Sequence, residues 1–514
     1  MERKKPLMLM ILDGWGINPE TRGNAVKTAH TPNLDRLQQT YPTTRLTCFG
    51  KSVGLPEGIM GNSEVGHLNI GAGRIVYQDL VRINMAIEEG SFFDNPAFKK
   101  IMGPILKQGS SLHLMGLLSD GGVHSQLDHL IALLRMAKKE GLKQVFVHAI
   151  LDGRDTPPDS GIGYMKRLLE AMGEIGCGKI ATICGRFYAM DRDTRWERTQ
   201  KAYELYTLGQ GAVYEDPLTA IHEAYQRGET DEFVKPVAIV ETPGTSAITI
   251  NDSDGVIFFN FRSDRARQIT RALTSGAFSF FERKKAPSLC DYVCMTSYDE
   301  TFTLPVAFQP VTLKGILGEV VSGHGLRQLR IAETEKYAHV TYFFNGGEEK
   351  PFPNEDRCLV PSPREVATYD LKPEMSAPQV ADEVLRRVAS NLYDLIVLNF
   401  ANMDMVGHTG VMAAAVKACE TVDRCVGEIV TKVLSMGGAL VITADHGNSE
   451  KMIDENGDPF TAHTLNEVPL YLVDDTRTTI NLKPGKLGDI APTLLHLMGI
   501  EKPAEMTGES LIDL

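Results

Sequence analysis

Ser63 lies in a glycine-rich stretch, MGNSEVGHLNIGAGR, over residues 60–74. Glycine lets the backbone approach a ligand closely and reach positive φ at low cost. The residues after Ser63 predict the start of a short helix, where unpaired N–H groups and the helix dipole favour an anion. A serine at this position is well placed to carry a phosphate group. The alternative is that Ser63 only caps the helix.

Three aspartates, Asp13, Asp404 and Asp445, follow continuous apolar runs that predict buried parallel strands. If these strands share one sheet, the three carboxylates meet at its carboxyl edge, where ligands bind in open α/β sheets. His408 follows Asp404 by four residues, so both face the same side if that turn is helical. His446 adjoins Asp445, and this arrangement predicts a metal site.

His463, in a loop after these strands, completes a set of carboxylates and imidazoles that, with Ser63, could form two adjacent metal sites. Such ligands suit Mn²⁺ or Zn²⁺, and the lack of thiolates disfavours a structural zinc site. Two metals about 4 Å apart stabilise both oxygens of an in-line phosphoryl displacement. One of them could hold the serine as an alkoxide nucleophile.

Charged or imidazole side chains follow four successive apolar strands in the middle of the chain. They are His124, then Arg154 and Asp155, then Arg186 and Arg192, and finally Arg262 and Arg265. A single surface arginine is usually only solvated, whereas this repeated pattern indicates a shared anion site. Guanidinium groups suit carboxylate and phosphate.

Composition narrows the class of protein. The 514 residues carry a net charge of −13, which argues against a nucleic-acid or anionic-membrane binder. No segment is long and apolar enough to span a membrane, and the N-terminal apolar run lacks a cleavage site. The eight scattered cysteines indicate reduced core residues. We therefore expect a cytoplasmic protein.

Strand and helix patterns alternate along the chain, which predicts an α/β fold. The pattern falls into three sections, with limits near residues 76 and 310. In the last section, residues 325–347 predict a strand, then Lys336, then another strand. No internal repeat or long linker is visible.

Ten motifs resemble those of cofactor-independent (2,3-bisphosphoglycerate-independent) phosphoglycerate mutases of the alkaline phosphatase superfamily, over essentially the whole chain. They are LDGWG (12–16), MGNSEVGHLNIGAGR (60–74), SDGGVHS (119–125), LDGRDTPP (151–158), GRFYAMDRD (185–193), NFRSDRARQ (260–268), AETEKYAHVT (332–341), NMDMVGHTG (402–410), TADHGN (443–448) and AHT (462–464). Met403 and Ser263 stand where the family pattern has proline, and neither is a ligand.

The resemblance implies a phosphatase-like metal-binding domain made of residues 1–76 and 311–514, with a phosphotransferase domain, 77–310, inserted. It implies one Mn²⁺ held by Asp404, His408 and His463, and another held by Asp13, Ser63, Asp445 and His446. Other divalent metals are compatible with these ligands, and no bisphosphoglycerate is required. The substrate-binding residues implied are His124, Arg154, Asp155, Arg186, Arg192, Arg262, Arg265 and Lys336.

The predicted function is interconversion of 3-phosphoglycerate and 2-phosphoglycerate through a phosphoserine at Ser63, in glycolysis and gluconeogenesis. Asp155 is the candidate acid and base, since it is the carboxylate among the cations. We expect a monomer whose partner is this small substrate. One alternative is a metal-dependent phosphatase or phosphopentomutase-like enzyme, which would lack the four cation-bearing strand ends. Another is a binding protein without catalysis, which would have lost a ligand.

Overall fold

The computed structural model describes residues 4–513. The chain divides into two compact units: one combines the two ends of the chain, up to Gln78 and from Thr312, and the other is Asp79–Val311. These divisions lie within two residues of the limits expected from the sequence. None of the helices between residues 4 and 513 has both the length and the apolar character needed to cross a membrane.

The strands define two main sheets. In chain order they are β1 (Leu7–Leu12), β2 (Thr43–Thr47), β3 (Leu112–Leu118), β4 (Val145–Leu151), β5 (Lys179–Gly185), β6 (Ala212–Tyr214), β7 (Val237–Ile239), β8 (Gly255–Phe258), β9 (Asp291–Cys294), β10 (Gln328–Glu333), β11 (Glu355–Val360), β12 (Leu395–Phe400), β13 (Ala439–Thr443), β14 (Val468–Val473), β15 (Asn481–Leu482), β16 (Gly485–Lys486) and β17 (Ile512–Asp513).

Helices connect most of these strands. They are α1 (Ala25–Thr28), α2 (Pro32–Thr40), α3 (Ser63–Ala72), α4 (Asp79–Glu89), α5 (Pro96–Gln108), α6 (Leu127–Lys139), α7 (Gly161–Ile175), α8 (Arg186–Ala189), α9 (Trp196–Leu208), α10 (Pro217–Gln226), α11 (Arg267–Thr274), α12 (Leu317–Gly323), α13 (Thr334–Ala338), α14 (Ala377–Ala389), α15 (Asn402–Gly407), α16 (Met412–Ser435) and α17 (Ile490–Leu497). Both units mix strands with helices, so the predicted α/β class is confirmed.

The discontinuous unit contains a sheet of order β11-β10-β12-β1-β13-β14-β2-β16. β1 is its centre: it pairs in parallel with β12 through Leu7 and Leu395, and with β13 through Leu7 and Ala439. Every residue of β1 is buried, as a strand covered on both faces requires. The carboxyl ends of β1, β12 and β13 therefore share one edge.

The inserted unit contains a sheet of order β6-β7-β5-β4-β3-β8-β9, in which only the β5–β7 pair is antiparallel among the described strands. Leu112 and Leu114 of β3 enter one hydrophobic cluster, and Met115 and Leu117 enter another. Alternate side chains of this strand thus bury opposite faces of the sheet, and the loops after β3, β4, β5 and β8 emerge at one edge.

Two local expectations are wrong. The chain segment after Lys336 is not a strand, since it continues from α13 into a π-helical turn, His339–Phe343. Asp404 does not end a strand either: β12 ends at Phe400, and Asp404 lies in α15. Apolar residues in a short run fit a buried helix as well as a strand, which explains both errors.

Candidate active site

Asp13 and Asp445 are placed by the two central strands of the discontinuous unit. Asp13 directly follows β1 and its N–H donates to the Phe400 carbonyl at 3.1 Å, while Asp445 follows β13. Gly14 has φ +79, and a Cβ there would lie 2.7 Å from the backbone nitrogen of Asp404. Only glycine therefore allows the α15 carboxylate to approach the end of β1.

Ser63 is the first residue of α3, and its hydroxyl faces the same carboxylates. Its Oγ lies 3.2 Å from Asp13 Oδ1 and 2.9 Å from His446 Nε2. The helix cap is the preceding residue, Asn62, whose side chain accepts from the Val65 N–H at 2.9 Å. The alternative that Ser63 serves as the cap is therefore wrong, and its hydroxyl contacts charged side chains instead of the helix backbone.

The histidines gather around Asp404. His408 Nε2 and His463 Nε2 each lie 3.1 Å from Asp404 Oδ1, and His446 Nε2 lies 3.8 Å from the same oxygen. His446 Nε2 also lies 3.8 Å from Asp445 Oδ2. All of the predicted metal ligands thus lie in one connected cluster.

Lys336 lies inside this cluster. Its Nζ donates to Asp13 Oδ1 at 2.9 Å, to Ser63 Oγ at 2.6 Å and to Asp404 Oδ2 at 2.6 Å. Burial alone would lower the pKa of this ammonium, but Asp13 and Asp404 outweigh burial and raise the pKa well above its ordinary value. The lysine is therefore a permanent cation beside the serine hydroxyl.

The acidic side chains also control His446. Burial would lower the pKa of His446, but Asp445 and Asp13 raise it to about 10. Burial would raise the pKa of Asp13, yet the Lys336 ammonium holds it well below its usual range. Buried carboxylates that stay ionised need cationic partners. Here these partners are the Lys336 ammonium and the protonated His446 imidazole.

The residues present fit divalent metal ions. Two groups offer ligand atoms that all lie within 4.8 Å of one another: Asp404, His446 and His463 in one, and Asp13, His67 and Asp445 in the other. Both carboxylate oxygens of Asp445 are buried and accept no hydrogen bond from the described residues. Buried oxygens with unused lone pairs and neighbouring imidazoles are typical of a metal site.

The inserted unit carries a separate group of charged side chains. Arg186, only 2% exposed, donates through Nη1 to both Asp152 and Asp155. Arg154 pairs with Glu232, its Nη2 lying 2.5 Å from Oε1. Asp155 thus lies against a guanidinium group, as expected of the carboxylate in this region.

Asp264, which was not singled out from the sequence, connects three of the predicted residues of this unit. Arg192 Nη1 lies 2.9 Å from Asp264 Oδ2, Arg262 Nε lies 3.1 Å from Oδ1, and His124 Nδ1 lies 3.7 Å from Oδ1. Burial lowers the pKa of Arg265, and the charges of Arg186, Arg192 and Arg154 lower it further. The charges of three guanidinium groups therefore act on a fourth, Arg265, which favours binding of an anion.

His124 is held neutral in this cationic group. Burial, and then the charge of Arg186, lower the pKa of His124 to about 4. Its Nε2 lies 3.9 Å from Asp155 Oδ2. At neutral pH this imidazole can therefore donate one hydrogen bond and accept another.

Several residues of the two sites escaped sequence reasoning. His67 lies four residues after Ser63, a helical spacing that could have placed both on one face. Asp264 lies between two predicted arginines. Glu450 accepts from the N–H groups of Gly16 and Asn448 and from the hydroxyl of Thr464, so it ties three of the motif loops together. No sequence signal marks Glu450.

Comparison with known proteins identifies the family of this chain. A family model described as the BPG-independent PGAM N-terminus matches residues 83–300. A 2,3-bisphosphoglycerate-independent phosphoglycerate mutase of Syntrophotalea carbinolica is 60% identical over 513 residues, covering 100% of this chain and 99% of the relative. This chain belongs to the 2,3-bisphosphoglycerate-independent phosphoglycerate mutase family. The family predicted from the motifs is therefore confirmed.

Further relatives agree with this membership. A 2,3-bisphosphoglycerate-independent phosphoglycerate mutase of Clostridium acetobutylicum is 58% identical over 512 residues, covering 99% of this chain and 100% of the relative. The crystal structure of Leishmania mexicana phosphoglycerate mutase at low cobalt concentration is 32% identical, with a TM-score of 0.63 and coverage of 100% and 98%. Membership thus extends over the whole chain and its fold.

Proposed function

We propose that this chain interconverts 3-phosphoglycerate and 2-phosphoglycerate without added bisphosphoglycerate, through a phosphoserine at Ser63. The observation that carries the proposal is the position of Ser63 Oγ, within 3.2 Å of Asp13, His446 and Lys336 at the N-terminus of α3. Family membership supplies the substrate. We also propose that the reaction is cytoplasmic and that the protein is a monomer.

The metal ligands in this proposal are Asp404, His408 and His463 for one ion, and Asp13, Ser63, Asp445 and His446 for the other. We propose Mn²⁺, because carboxylate and imidazole ligands suit it. When bound, two such ions supply Lewis-acid stabilisation of the charge that develops on phosphoryl oxygens. The orphaned oxygens of Asp445 support this assignment.

In the first half-reaction, Ser63, whose hydroxyl proton would be released to solvent when the metal site is filled, forms a bond from its Oγ alkoxide to phosphorus. At the same time the bond from phosphorus to the C3 oxygen of the substrate breaks. Lys336, 2.6 Å from Ser63 Oγ, stabilises negative charge on that oxygen. Asp155 gives a proton to the departing glycerate oxygen. The products of this step are phosphoserine and bound glycerate.

In the second half-reaction, Asp155 takes the proton of the glycerate C2 hydroxyl, whose oxygen bonds to phosphorus as the Ser63 bond breaks. The arginines of the inserted unit, Arg154, Arg186, Arg192, Arg262 and Arg265, bind the carboxylate and phosphate groups. Retention of glycerate between the two steps distinguishes a mutase from a phosphatase.

The test combines a coupled assay with an isotope. Purified protein is given 3-phosphoglycerate with Mn²⁺, without bisphosphoglycerate, and in a large excess of labelled free glycerate. We expect 2-phosphoglycerate without label and little inorganic phosphate. Inorganic phosphate as the main product would show a phosphatase, and heavily labelled 2-phosphoglycerate would show that glycerate escapes between half-reactions.

A further inference from the structure

His67 and Asn399 form a buried pair beneath the predicted metal ligands, and neither residue has a role in the mechanism above. Both side chains are fully buried, at 0% exposure. His67 lies on α3, one helical turn after Ser63, and Asn399 lies on β12, where it is paired in register with Ile11 of β1. His67 therefore shares a helix with Ser63, and Asn399 lies on the strand next to β1, which Asp13 directly follows.

The hydrogen bonds of this pair connect Asp13 to the backbone of Ser63. Asn399 Nδ2 donates to Asp13 Oδ2 at 2.8 Å and lies 3.0 Å from His67 Nε2. His67 Nδ1 lies 2.8 Å from the carbonyl oxygen of Ser63. Since a carbonyl can only accept, Nδ1 carries the proton, and Nε2 accepts from Asn399.

The amide orientation of Asn399 follows from its neighbours. Turned the other way, its oxygen would face the Asp13 carboxylate, leaving two acceptors without a proton between them. In the observed orientation the two amide hydrogens of Nδ2 serve Asp13 and His67, and Oδ1 has no partner among the described residues. The donated hydrogen bonds therefore diverge from Asn399: one leads to Asp13, and the other leads through His67 to the Ser63 carbonyl.

His67 also lies 3.2 Å from Asp445 Oδ2, a contact without hydrogen-bond geometry. This closeness makes His67 a candidate ligand together with Asp13 and Asp445. However, both of its ring nitrogens are already engaged, Nδ1 with Ser63 and Nε2 with Asn399. No lone pair of the imidazole is left for an ion.

We propose that His67 and Asn399 are positioning residues, which hold the Asp13 carboxylate and the Ser63 backbone in the geometry that binds the second metal. Asn399 fixes one oxygen of Asp13, so the other, Oδ1, faces Ser63 and Lys336. Outer partners of this kind orient metal ligands, and removing them typically lowers metal affinity about 10- to 100-fold. The inference rests on the two-metal site proposed above.

The test is a titration of chelator-treated, full-length protein with Co²⁺, followed by its visible absorption. We expect His67→Leu and Asn399→Leu each to lower the Co²⁺ affinity of one of the two sites by about 10- to 100-fold. The affinity of the other site should not change. His67→Gln keeps an acceptor for Asn399, so its affinity should stay within about threefold of wild type.

Asn69→Ala is the matched control, since Asn69 lies on the same helix, is buried, and donates to Val53 and Val65 without touching a metal ligand. This variant should unfold at a lower temperature yet bind both ions normally. Thermal unfolding of each metal-free variant separates loss of stability from loss of affinity.

Three results would overturn the positioning role while leaving the two-metal site intact: unchanged affinity in both leucine variants, a His67→Gln affinity as low as that of His67→Leu, or an equal loss in Asn69→Ala. Loss of one nitrogen ligand from the Co²⁺ spectrum of His67→Leu would overturn it as well, because His67 would then be a ligand. A wild-type protein that binds no Co²⁺ would instead overturn the site itself.

Discussion

Two buried groups of histidines and aspartates, one in each unit, differ in whether their hydrogen bonds are complete. In the inserted unit, Thr182 Oγ1 lies 2.9 Å from His148 Nδ1, His148 Nε2 lies 2.9 Å from His113 Nδ1, and His113 Nε2 lies 3.2 Å from Asp254 Oδ2. Asp254 also accepts from the N–H groups of Ser111 and Asn251. This network crosses the sheet with one carboxylate and a partner for each ring nitrogen.

The proposed metal cluster of the discontinuous unit, around Asp13, Asp404 and Asp445, is the opposite case. Three carboxylates are buried there against Lys336 and His446, and Asp445 has two oxygens that accept no hydrogen bond within residues 4–513. Excess negative charge and unused lone pairs are costly unless a cation binds. We infer that surplus acceptors, rather than burial or residue type, distinguish the proposed metal site from this structural network.

The largest expected effect follows from removing the nucleophile. Ser63→Ala should lower mutase activity by about 10³-fold or more, because the phosphoserine can no longer form, while the fold stays intact. The measurement is the coupled assay, with mass spectrometry of residues 60–74 after rapid quenching to detect the phosphoryl group. Ser376→Ala, a buried serine that donates to Pro361, is the control and should keep its activity. Near-wild-type turnover in Ser63→Ala would refute the phosphoserine mechanism.

The second largest expected effect comes from removing the metal, which should affect the proposed metal cluster and not the histidine network of the inserted unit. A chelator should abolish activity, and added Mn²⁺ should restore it. Of the two buried groups, only the proposed metal cluster has carboxylate oxygens that accept no hydrogen bond from the described part of the chain and could bind an ion. His446, with a pKa of about 10 without metal, must lose its proton to bind an ion, so the apparent metal affinity should fall as pH falls from 8 to 6. Mn²⁺ titration by electron paramagnetic resonance measures this affinity. Full activity after complete chelation, or an affinity independent of pH, would contradict the expectation.

The smallest expected effect comes from changing the hydrogen-bonded histidine network of the inserted unit. Burial, and then His113, hold the pKa of His148 well below its ordinary value. Its neutral form therefore stabilises the protein fully above pH about 6.5, the pKa of an unfolded histidine, and this contribution is lost as pH falls further. His148→Phe should lower the unfolding free energy by about 1–3 kcal/mol at neutral pH and flatten its decline in acid.

Hydrogen exchange resolved along the chain would locate the His148→Phe effect, which should lie within residues 79–311. Metal affinity should not change. If this variant weakened Mn²⁺ binding as strongly as a change in the metal cluster does, the distinction between the two groups would fail.

Much of the fold and of the candidate site could be predicted from the sequence. The apolar run before Asp13 marks a buried strand, and the glycine-rich motif marks Ser63 as the proposed nucleophile, because both signals are local. The spacing of His67 from Ser63 was the only such signal for His67, and Asn399 gave none. They resemble ordinary helix and strand interiors, and their contact joins residues that lie far apart in the chain. The partners of Asp404 were also predicted, but its helix was not, since a short apolar run does not fix the element type.

The central position of β1 has a consequence for how the protein is made. Its two neighbours, β12 and β13, leave the ribosome only after the inserted unit has been synthesised. β3, β4 and β8 of that unit, by contrast, pair within residues 112–258. Domains generally fold as units during synthesis. The inserted unit can therefore complete its sheet before β12 and β13, the strands that pair with β1, have been synthesised. The nascent chain therefore carries an unpaired apolar strand through most of translation, and Asp13 reaches its place in the sheet only near the end.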